Sequence, residues 1–158
     1  MRNLPPHIRP SFARFVEGPS AVNEAVRGLG AGGLNRRPHG DDWSARDVII
    51  HLADSELVAA VRFRLVIAEE APLLPAYDEG NWKRRLHYLW RSPEAALSLF
   101  QQTRFSSAEM LRQCSAPAWE RTGLHPTFGV LTLEALLARG VDHIDQHVAQ
   151  LAALRSPA

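Results

Sequence analysis

Residues 131–151 read LTLEALLARGVDHIDQHVAQL, and this stretch decides the fold class. When its residues are placed at intervals of 100°, the apolar side chains form one continuous arc, as in an amphipathic helix that packs on a core. Asp142, Asp145 and Gln146 fall outside that arc and should point away from the core. The pattern predicts a helix from Leu133 to about Arg155, capped by Thr132. Its buried face comprises Leu133, Leu136, Leu137, Gly140, Val141, Ile144, Val148, Leu151 and Leu154.

Helical spacing also dominates the rest of the chain, with no convincing strand-like alternation. Ser44, followed three residues later by Asp47, forms a capping pattern for a second long helix, and Ser92-Pro93 is a typical start for a third. We therefore predict an all-α four-helix bundle that occupies residues 1–158 as a single domain. The first predicted helix spans Pro10–Leu29 and is interrupted at Gly18-Pro19. The others are a helix from Ser44 to Glu70, a short piece within Trp82–Leu89, a helix from Ser92 to about Cys114, and the last helix. Loops are predicted over 28–42, 76–91 and 116–131.

Composition limits the classes of partner. The 158 residues include 18 basic and 17 acidic side chains, for a formal charge of +1, which gives no electrostatic footprint for nucleic acid or an anionic membrane. Cys114 is the single cysteine, which excludes a disulfide framework and a multi-cysteine zinc site and suits a reducing compartment. The N-terminus lacks a signal-peptide core, and no apolar run approaches the roughly 18 residues of a membrane span. We expect a soluble, cytoplasmic protein.

Histidines supply the candidate metal ligands. His143 and His147 are four residues apart, so they lie one helical turn above the other at the edge of the buried arc. Such a pair can bind one divalent metal, although it also occurs at helix boundaries where each ring bonds to water or a neighbour. His51 is embedded in the apolar sequence VIIHLA and should also face inward, either as a core histidine or as a ligand. Three inward histidines on two core helices favour a three-ligand site.

Other motifs do not fit the chain. Residues 28–33 match the dinucleotide pattern GxGxxG, and Asp54 lies at a suitable distance downstream, but a helical stretch precedes the glycines where a strand is required. HExxH, the ExxH pairs of di-iron bundles and the GxSxG elbow are all absent. We interpret residues 28–33 as an interhelical loop and Cys114 as a packing residue.

Two segments resemble a known family. WSARDVIIHLADSE at residues 43–56 is similar to the "WS…HLADSE" segment of the DinB/YfiT-like superfamily. LTLE at 131–134, followed by HIDQHVAQL at 143–151, resembles the final helix of that family. YDE at 77–79, Trp82, SPE at 92–94 and the stretch 100–104 fall in the expected order, so the resemblance covers nearly the whole chain.

The resemblance implies a four-helix bundle, often dimeric, with one divalent metal, commonly nickel or zinc, held by three histidines. Matched by motif position, the ligands are His51, His143 and His147. Family members often carry a further histidine where this chain has Gln146, but that position points outward. Some relatives use low-molecular-weight thiols such as bacillithiol, mycothiol or glutathione. We accordingly expect a homodimer, an expectation that the apolar character of the second long helix supports.

For the reaction, the resemblance implies a thiol-dependent S-transferase acting on a small molecule as the first expectation. A metal-dependent hydrolase and a non-catalytic metal-binding or stress-ligand sensor are the alternatives. Hydrolysis usually requires a general base, and no inward carboxylate accompanies the last two histidines. Asp54, about 60° from His51 on the same helix, is the better candidate for that role than Glu56. Arg62, or Arg121 and His125 from the loop, could orient an acidic group of the substrate.

Overall fold

Four long helices and a small hairpin build the molecule. The computed structural model describes residues 4–40 and 42–155. Its helices and strands are α1 (Arg9–Val26), α2 (Ala31–Asn35), α3 (Ala45–Ala68), α4 (Glu79–Arg85), α5 (Pro93–Arg112), β1 (Thr122–His125), β2 (Gly129–Thr132) and α6 (Leu133–Arg155), with 3₁₀ turns at Tyr88–Trp90 and Ala116–Glu120. The prediction of an all-α four-helix bundle is confirmed.

Side-chain caps begin three of the long helices, as predicted. Ser44 accepts a hydrogen bond from the Asp47 backbone N–H, while the Asp47 carboxylate accepts one from the Ser44 backbone N–H. The Ser92 hydroxyl caps α5, and the Thr132 hydroxyl accepts from the Ala135 N–H at 3.0 Å at the start of α6. These caps determine where the long helices start and so which residues face the core.

The arrangement of the helices brings α3 against α6. α3 packs on α5 and α6, while α1 packs on α6 and α5, so that α1 lies diagonal to α3. Along α6 the predicted arc is buried, except that Gly140 and Val148 are half-buried. Asp142, Asp145 and Gln146 are exposed, as expected. None of the helices over residues 4–40 and 42–155 combines the length and hydrophobicity that a bilayer crossing requires.

The predicted interruption of the first helix is wrong, because α1 continues through Pro19. A proline has no N–H, so the carbonyl of Phe15, four residues earlier, loses its helical donor. Arg104 of α5 supplies one instead, since its Nη1 lies 3.3 Å from the Phe15 oxygen. Gly18 permits this approach, because a β-carbon there would lie 3.1 Å from the same Nη1. A buried guanidinium thus keeps the helix continuous.

The loop expected over 116–131 contains a hairpin that the sequence did not reveal. β1 and β2 pair antiparallel with Gly123 opposite Leu131. Each strand has only four residues, too few to show a clear alternation. Residues 72–74 run beside β1, with Leu74 N–H donating to the Leu124 carbonyl and Leu124 N–H donating to that of Pro72, both at 2.9 Å. Gly123 fits tightly here, since a β-carbon would lie 2.8 Å from the Leu74 side chain.

The first interhelical loop also contains more structure than predicted. α2 occupies Ala31–Asn35 within the stretch 28–42. Its five residues include two glycines, a composition that does not identify a helix from sequence. The side chain of Asn35 accepts a hydrogen bond from Arg46, which connects this short helix to α3.

A polar layer divides the hydrophobic core into two clusters. One cluster contains Phe12, Phe15, Phe63 and Leu137, and the other contains residues 48–50 with Phe100 and Ile144. Between them, at the middle of the bundle, lies a fully buried ion pair between Arg104 of α5 and Glu56 of α3. The guanidinium also stacks over the Phe15 ring, 3.9 Å from its centroid. The pair therefore joins α1, α3 and α5.

Apolar side chains remain exposed on the outer face of α3. Leu57 and Val61 are more than two-fifths exposed and line a shallow groove with residues of α5. This exposure agrees with the apolar character that led us to expect a homodimer, which stays a prediction.

We expect Glu56→Leu and Arg104→Met each to lower the free energy of unfolding by about 3–5 kcal/mol, because each leaves the opposite charge buried without its partner. The double variant should recover a large part of that loss, since no unpaired charge remains. Urea denaturation of the metal-free protein measures the three values. A loss in the double variant equal to the sum of the single losses would contradict this account.

Candidate metal centre

The packing of α3 on α6 brings three histidines together. His51 lies in the second turn of α3, seven residues after the Ser44 cap, and is fully buried. His143 and His147 occupy successive turns of α6 and are partly buried. All three were selected from the sequence as candidate metal ligands, and the structure places them at one point.

Their Nε2 atoms converge. The Nε2 atom of His143 lies 3.0 Å from that of His51 and 3.1 Å from that of His147. One ligand atom from each ring lies within 4.8 Å of the others. Zinc–nitrogen bonds of about 2.0–2.1 Å place ligand nitrogens about 3–4 Å apart. The residues therefore fit one divalent ion.

Burial keeps the three rings neutral. Burial lowers the pKa of His51 to about 3, and nearby His147 contributes to the shift. Burial also lowers the pKa of His143 to about 3, with smaller contributions from His147, His51, Arg104 and Arg139. The pKa of His147 is also lowered, chiefly by burial. Neutral imidazoles retain the lone pair that a metal ligand needs.

The side chain of Gln150 sets the tautomer of His147. Its Oε1 lies 2.8 Å from the His147 Nδ1, and an amide oxygen can only accept, so the proton resides on Nδ1. The lone pair of Nε2 consequently points to the meeting point of the three rings. His51 has no such partner within the described residues, since its buried Nδ1 is without a hydrogen bond there. The Trp43 ring packs edge-on against His51, with centroids 5.1 Å apart.

The histidine cluster borders a cavity of about 380 Å³. Its walls are formed by residues of α3 and α6, the segment 76–79 and the hairpin. His143 is the histidine of the cluster that lines the cavity. The walls are mostly apolar with a few polar groups, as in small-molecule sites. The lining residues are Ser55, Ala59, Arg62, Phe63, Ala76, Tyr77, Glu79, His125, Thr127, Phe128, Leu136, Arg139, Gly140 and His143.

Glu79 is the acidic group of the site that sequence reasoning missed. Its Oε1 lies 4.0 Å from the His51 Nε2, and the side chain is 55% exposed. Asp78 caps α4 by accepting from the Asn81 N–H at 2.6 Å, which places Glu79 in the first turn of that helix. The sequence analysis noted this glutamate only as part of the YDE segment. Its position beside His51 depends on how the connection between α3 and α5 folds back.

Of the four other candidate residues, two line the cavity and two do not. Arg62 and His125 line the cavity, as proposed for groups that orient a substrate. Asp54 does not line it, and both oxygens of its carboxylate accept hydrogen bonds from Arg91, at 2.6 and 2.9 Å. Arg121 binds the carbonyls of Val66 and Glu69 at the end of α3, which gives it a structural role away from the cavity.

We expect untagged protein loaded with zinc or nickel to hold one ion per chain, and His147→Ala to abolish this stoichiometric binding. Gln150→Ala should weaken the affinity by about 10- to 100-fold, because it releases the orientation of a ligand ring. Elemental analysis and competition with a chelator measure both effects. The exposed His39 provides a control, and equal metal content in His147→Ala and His39→Ala would contradict the assignment.

Acid should destabilise the metal-free protein through the same histidines. Their pKa values lie below the ordinary 6.5, so the unfolded chain binds more protons, and stability that is complete above pH 6.5 is lost as the pH falls toward about 3. Each group contributes a slope of order 1 kcal/mol per pH unit in this range. Urea denaturation between pH 7 and 5 should show a shallower dependence in His51→Asn. An unchanged slope would show that His51 does not titrate this way.

Comparisons with known proteins agree with this site. A relative from Bacillus subtilis, named "Putative metal-dependent hydrolase YfiT", is 30% identical over 139 residues, which cover 87% of this chain and 78% of that protein. A relative from Oceanobacillus iheyensis with the same class of name is 34% identical over 113 residues, covering 71% of this chain and 64% of its own.

Solved structures share the fold. The YfiT structure from Bacillus subtilis, described as "a probable metal-dependent hydrolase with an unusual four-helix bundle topology", superimposes with a TM-score of 0.88 at 27% identity, covering 98% of this chain and 89% of that one. A mycothiol-dependent maleylpyruvate isomerase matches with a TM-score of 0.75 at 15% identity, over 95% of this chain and 62% of that one, which is a likeness of fold. The family model of the DinB superfamily matches residues 14–151. The chain therefore belongs to the DinB superfamily.

Proposed function

We propose that the protein is a metal-dependent transferase that joins a low-molecular-weight thiol to an electrophilic small molecule. The observation that carries this proposal is the convergence of three neutral imidazoles at the edge of a cavity. The ligand set suits zinc or nickel and leaves coordination positions free, as catalytic sites do. A divalent ion held by these histidines would lower the pKa of a thiol or water bound to it, and so would supply a nucleophile near neutral pH.

The nucleophilic sulfur must come from solution. Cys114 is buried beyond the end of α5, where its thiol contacts the Met110 carbonyl, and it is not among the residues that line the cavity. Burial also raises the pKa of this thiol, which opposes thiolate formation. The fold likeness to a mycothiol-dependent isomerase supports a soluble thiol as the co-reactant.

Glu79 is our candidate for the residue that accepts the proton. Its carboxylate is the acidic group on the cavity lining, whereas the carboxylate of Asp54 is engaged by Arg91. In the proposed reaction the thiol loses its proton to Glu79, and the sulfur forms a bond to the electrophilic carbon. The leaving group departs with the electrons of the broken bond and takes up the proton that Glu79 accepted. Arg62 holds the substrate in the cavity.

Hydrolysis is the second candidate, and Glu79 is the observation that favours it. The sequence lacked an inward carboxylate next to the last two histidines, but Glu79 arrives beside His51 from α4. A carboxylate at this distance can accept a proton from water as readily as from a thiol. The names of the relatives also refer to metal-dependent hydrolases.

A panel of electrophiles separates these candidates. Aryl halides, epoxides, activated esters and amides are incubated with zinc- or nickel-loaded protein, with and without bacillithiol, mycothiol or glutathione. We expect metal-dependent acceleration that requires a thiol. Glu79→Gln should slow hydrolysis by about 100-fold or more if water is the nucleophile, because a neutral amide is not a general base. It should slow thiol transfer by less, since a thiol ionises more easily than water.

Glu109 is exposed on α5 and provides the matched control, because Glu109→Gln removes one carboxylate at a distance from the cavity. The metal content of both variants is measured alongside their rates. Turnover without any thiol would support the hydrolase. If no substrate is converted while metal still binds and a small molecule raises the melting temperature, the protein is a metal-binding sensor and the proposed function is rejected.

A further inference from the structure

At the hairpin side of the cavity, cationic groups occur without acidic partners. Arg62 of α3 and Arg139 of α6 both line the cavity, and within the described residues neither guanidinium has a carboxylate at ion-pair distance. Arg62 is held in place by the Pro75 carbonyl, which accepts from its Nε at 2.9 Å and from its Nη2 at 2.6 Å. Arg139 lies over the ring of Phe128, 3.7 Å from the centroid.

His125 adds a buried donor to these two charges. The ring is 3% exposed, and its Nδ1 lies 3.1 Å from the Thr127 backbone nitrogen and 3.4 Å from that of Phe128. Backbone N–H groups can only donate, so Nδ1 is an acceptor and the single proton of the neutral ring is assigned to Nε2. Burial and the positive charges of Arg62 and Arg139 lower the pKa of His125, which agrees with a neutral ring.

This tautomer leaves two donors facing each other. The Nε2 of His125 lies 3.1 Å from the Nη2 of Arg62, and a guanidinium can only donate. Two N–H groups cannot hydrogen-bond to one another. One N–H of Nη2 donates to the Pro75 carbonyl, so its second N–H and the Nε2 proton of His125 are the two donors that an added acceptor would satisfy. An anionic oxygen placed beside the two nitrogens would accept from both and would neutralise the guanidinium.

We infer that Arg62 and His125, with Arg139 at the rim, form a subsite for the carboxylate of an acidic substrate. A carboxylate matches this arrangement because its two oxygens offer several lone pairs in one plane, which suits a planar guanidinium. The inference rests on the proposed function in one respect, since it takes the occupant of the subsite to be the electrophile.

The subsite shares its cavity with the histidine cluster. Arg62 follows His51 by eleven residues on α3, which corresponds to a rise of about 16 Å along the helix. Arg62 and His143 nevertheless line the same cavity. Arg139 lies one turn before His143 on α6. A small carboxylic acid held at Arg62 therefore extends its other end toward the histidine cluster.

Binding of matched small molecules to metal-free protein tests the subsite without requiring turnover. Phenylacetate and phenylacetamide have nearly the same shape and differ in charge. We expect isothermal titration calorimetry to show that wild-type protein binds phenylacetate about 10- to 100-fold more tightly, because hydrogen bonds to a charged group contribute that much. Metal-free protein is used because a bound cation could itself attract the carboxylate.

Variants locate the effect. Arg62→Gln should abolish the preference for phenylacetate, and Arg62→Lys should retain part of it through the remaining charge. Arg64 lies two residues further along α3, and its side chain donates a hydrogen bond to Ser106. Arg64→Gln should therefore leave the preference for phenylacetate unchanged. Circular dichroism checks that each variant is folded.

Equal affinity of wild-type protein for the two compounds would overturn the inference, and this comparison does not depend on any variant. Retention of the full preference by a folded Arg62→Gln would overturn it as well. Failure of the proposed function has a different signature, namely selective carboxylate binding without conversion of any electrophile. Turnover of acidic and neutral electrophiles at equal rates would instead support the function and reject the subsite.

Discussion

The guanidinium of Arg104 is the buried charge around which three of the four long helices are arranged. It pairs with Glu56 of α3, donates to the Phe15 carbonyl that Pro19 leaves without a helical partner, and stacks on the Phe15 ring. A buried ion pair tolerates little displacement, because separating the charges in the interior is expensive. Gly18 allows α1 to lie close to the Arg104 guanidinium. The contacts of the Arg104 side chain therefore fix the positions of α1, α3 and α5 along the bundle axis relative to one another.

The same layer bears on the chemistry of the histidines. His143 lies on α6 between Val141, which belongs to one hydrophobic cluster, and Ile144, which belongs to the other. The positive charge of Arg104 contributes to the lowered pKa of His143. Burial and this charge both oppose protonation, so the α6 face of the cluster stays available to a metal. The buried Arg104 guanidinium thus contributes both to the packing of the bundle and to keeping His143 neutral.

Local signals predicted the parts of this molecule that depend on local physics. Ser44 and Thr132 are caps whose partners lie three residues away, and the three histidines follow from helical phase. The continuity of α1 could not be predicted, because Pro19 is compensated by a side chain from another helix. Glu79 and the hairpin escaped prediction for a related reason, since their positions depend on how loops fold against α3. The three histidines on the long helices could be predicted from helical phase, whereas the pairing of Asp54 with Arg91 and the place of Glu79 depend on contacts between distant segments.

The backbone contacts between residues 72–74 and β1 have a consequence for the shape of the cavity. They connect the strand that ends at His125 to the segment that continues into Ala76 and Tyr77, so two walls of the cavity are joined by main-chain hydrogen bonds. The tight fit of Gly123 against Leu74 removes slack from this connection. The spacing between these two walls is thereby held by the main chain. A change in the length or path of the connection after α3 would therefore move one wall of the cavity relative to the other.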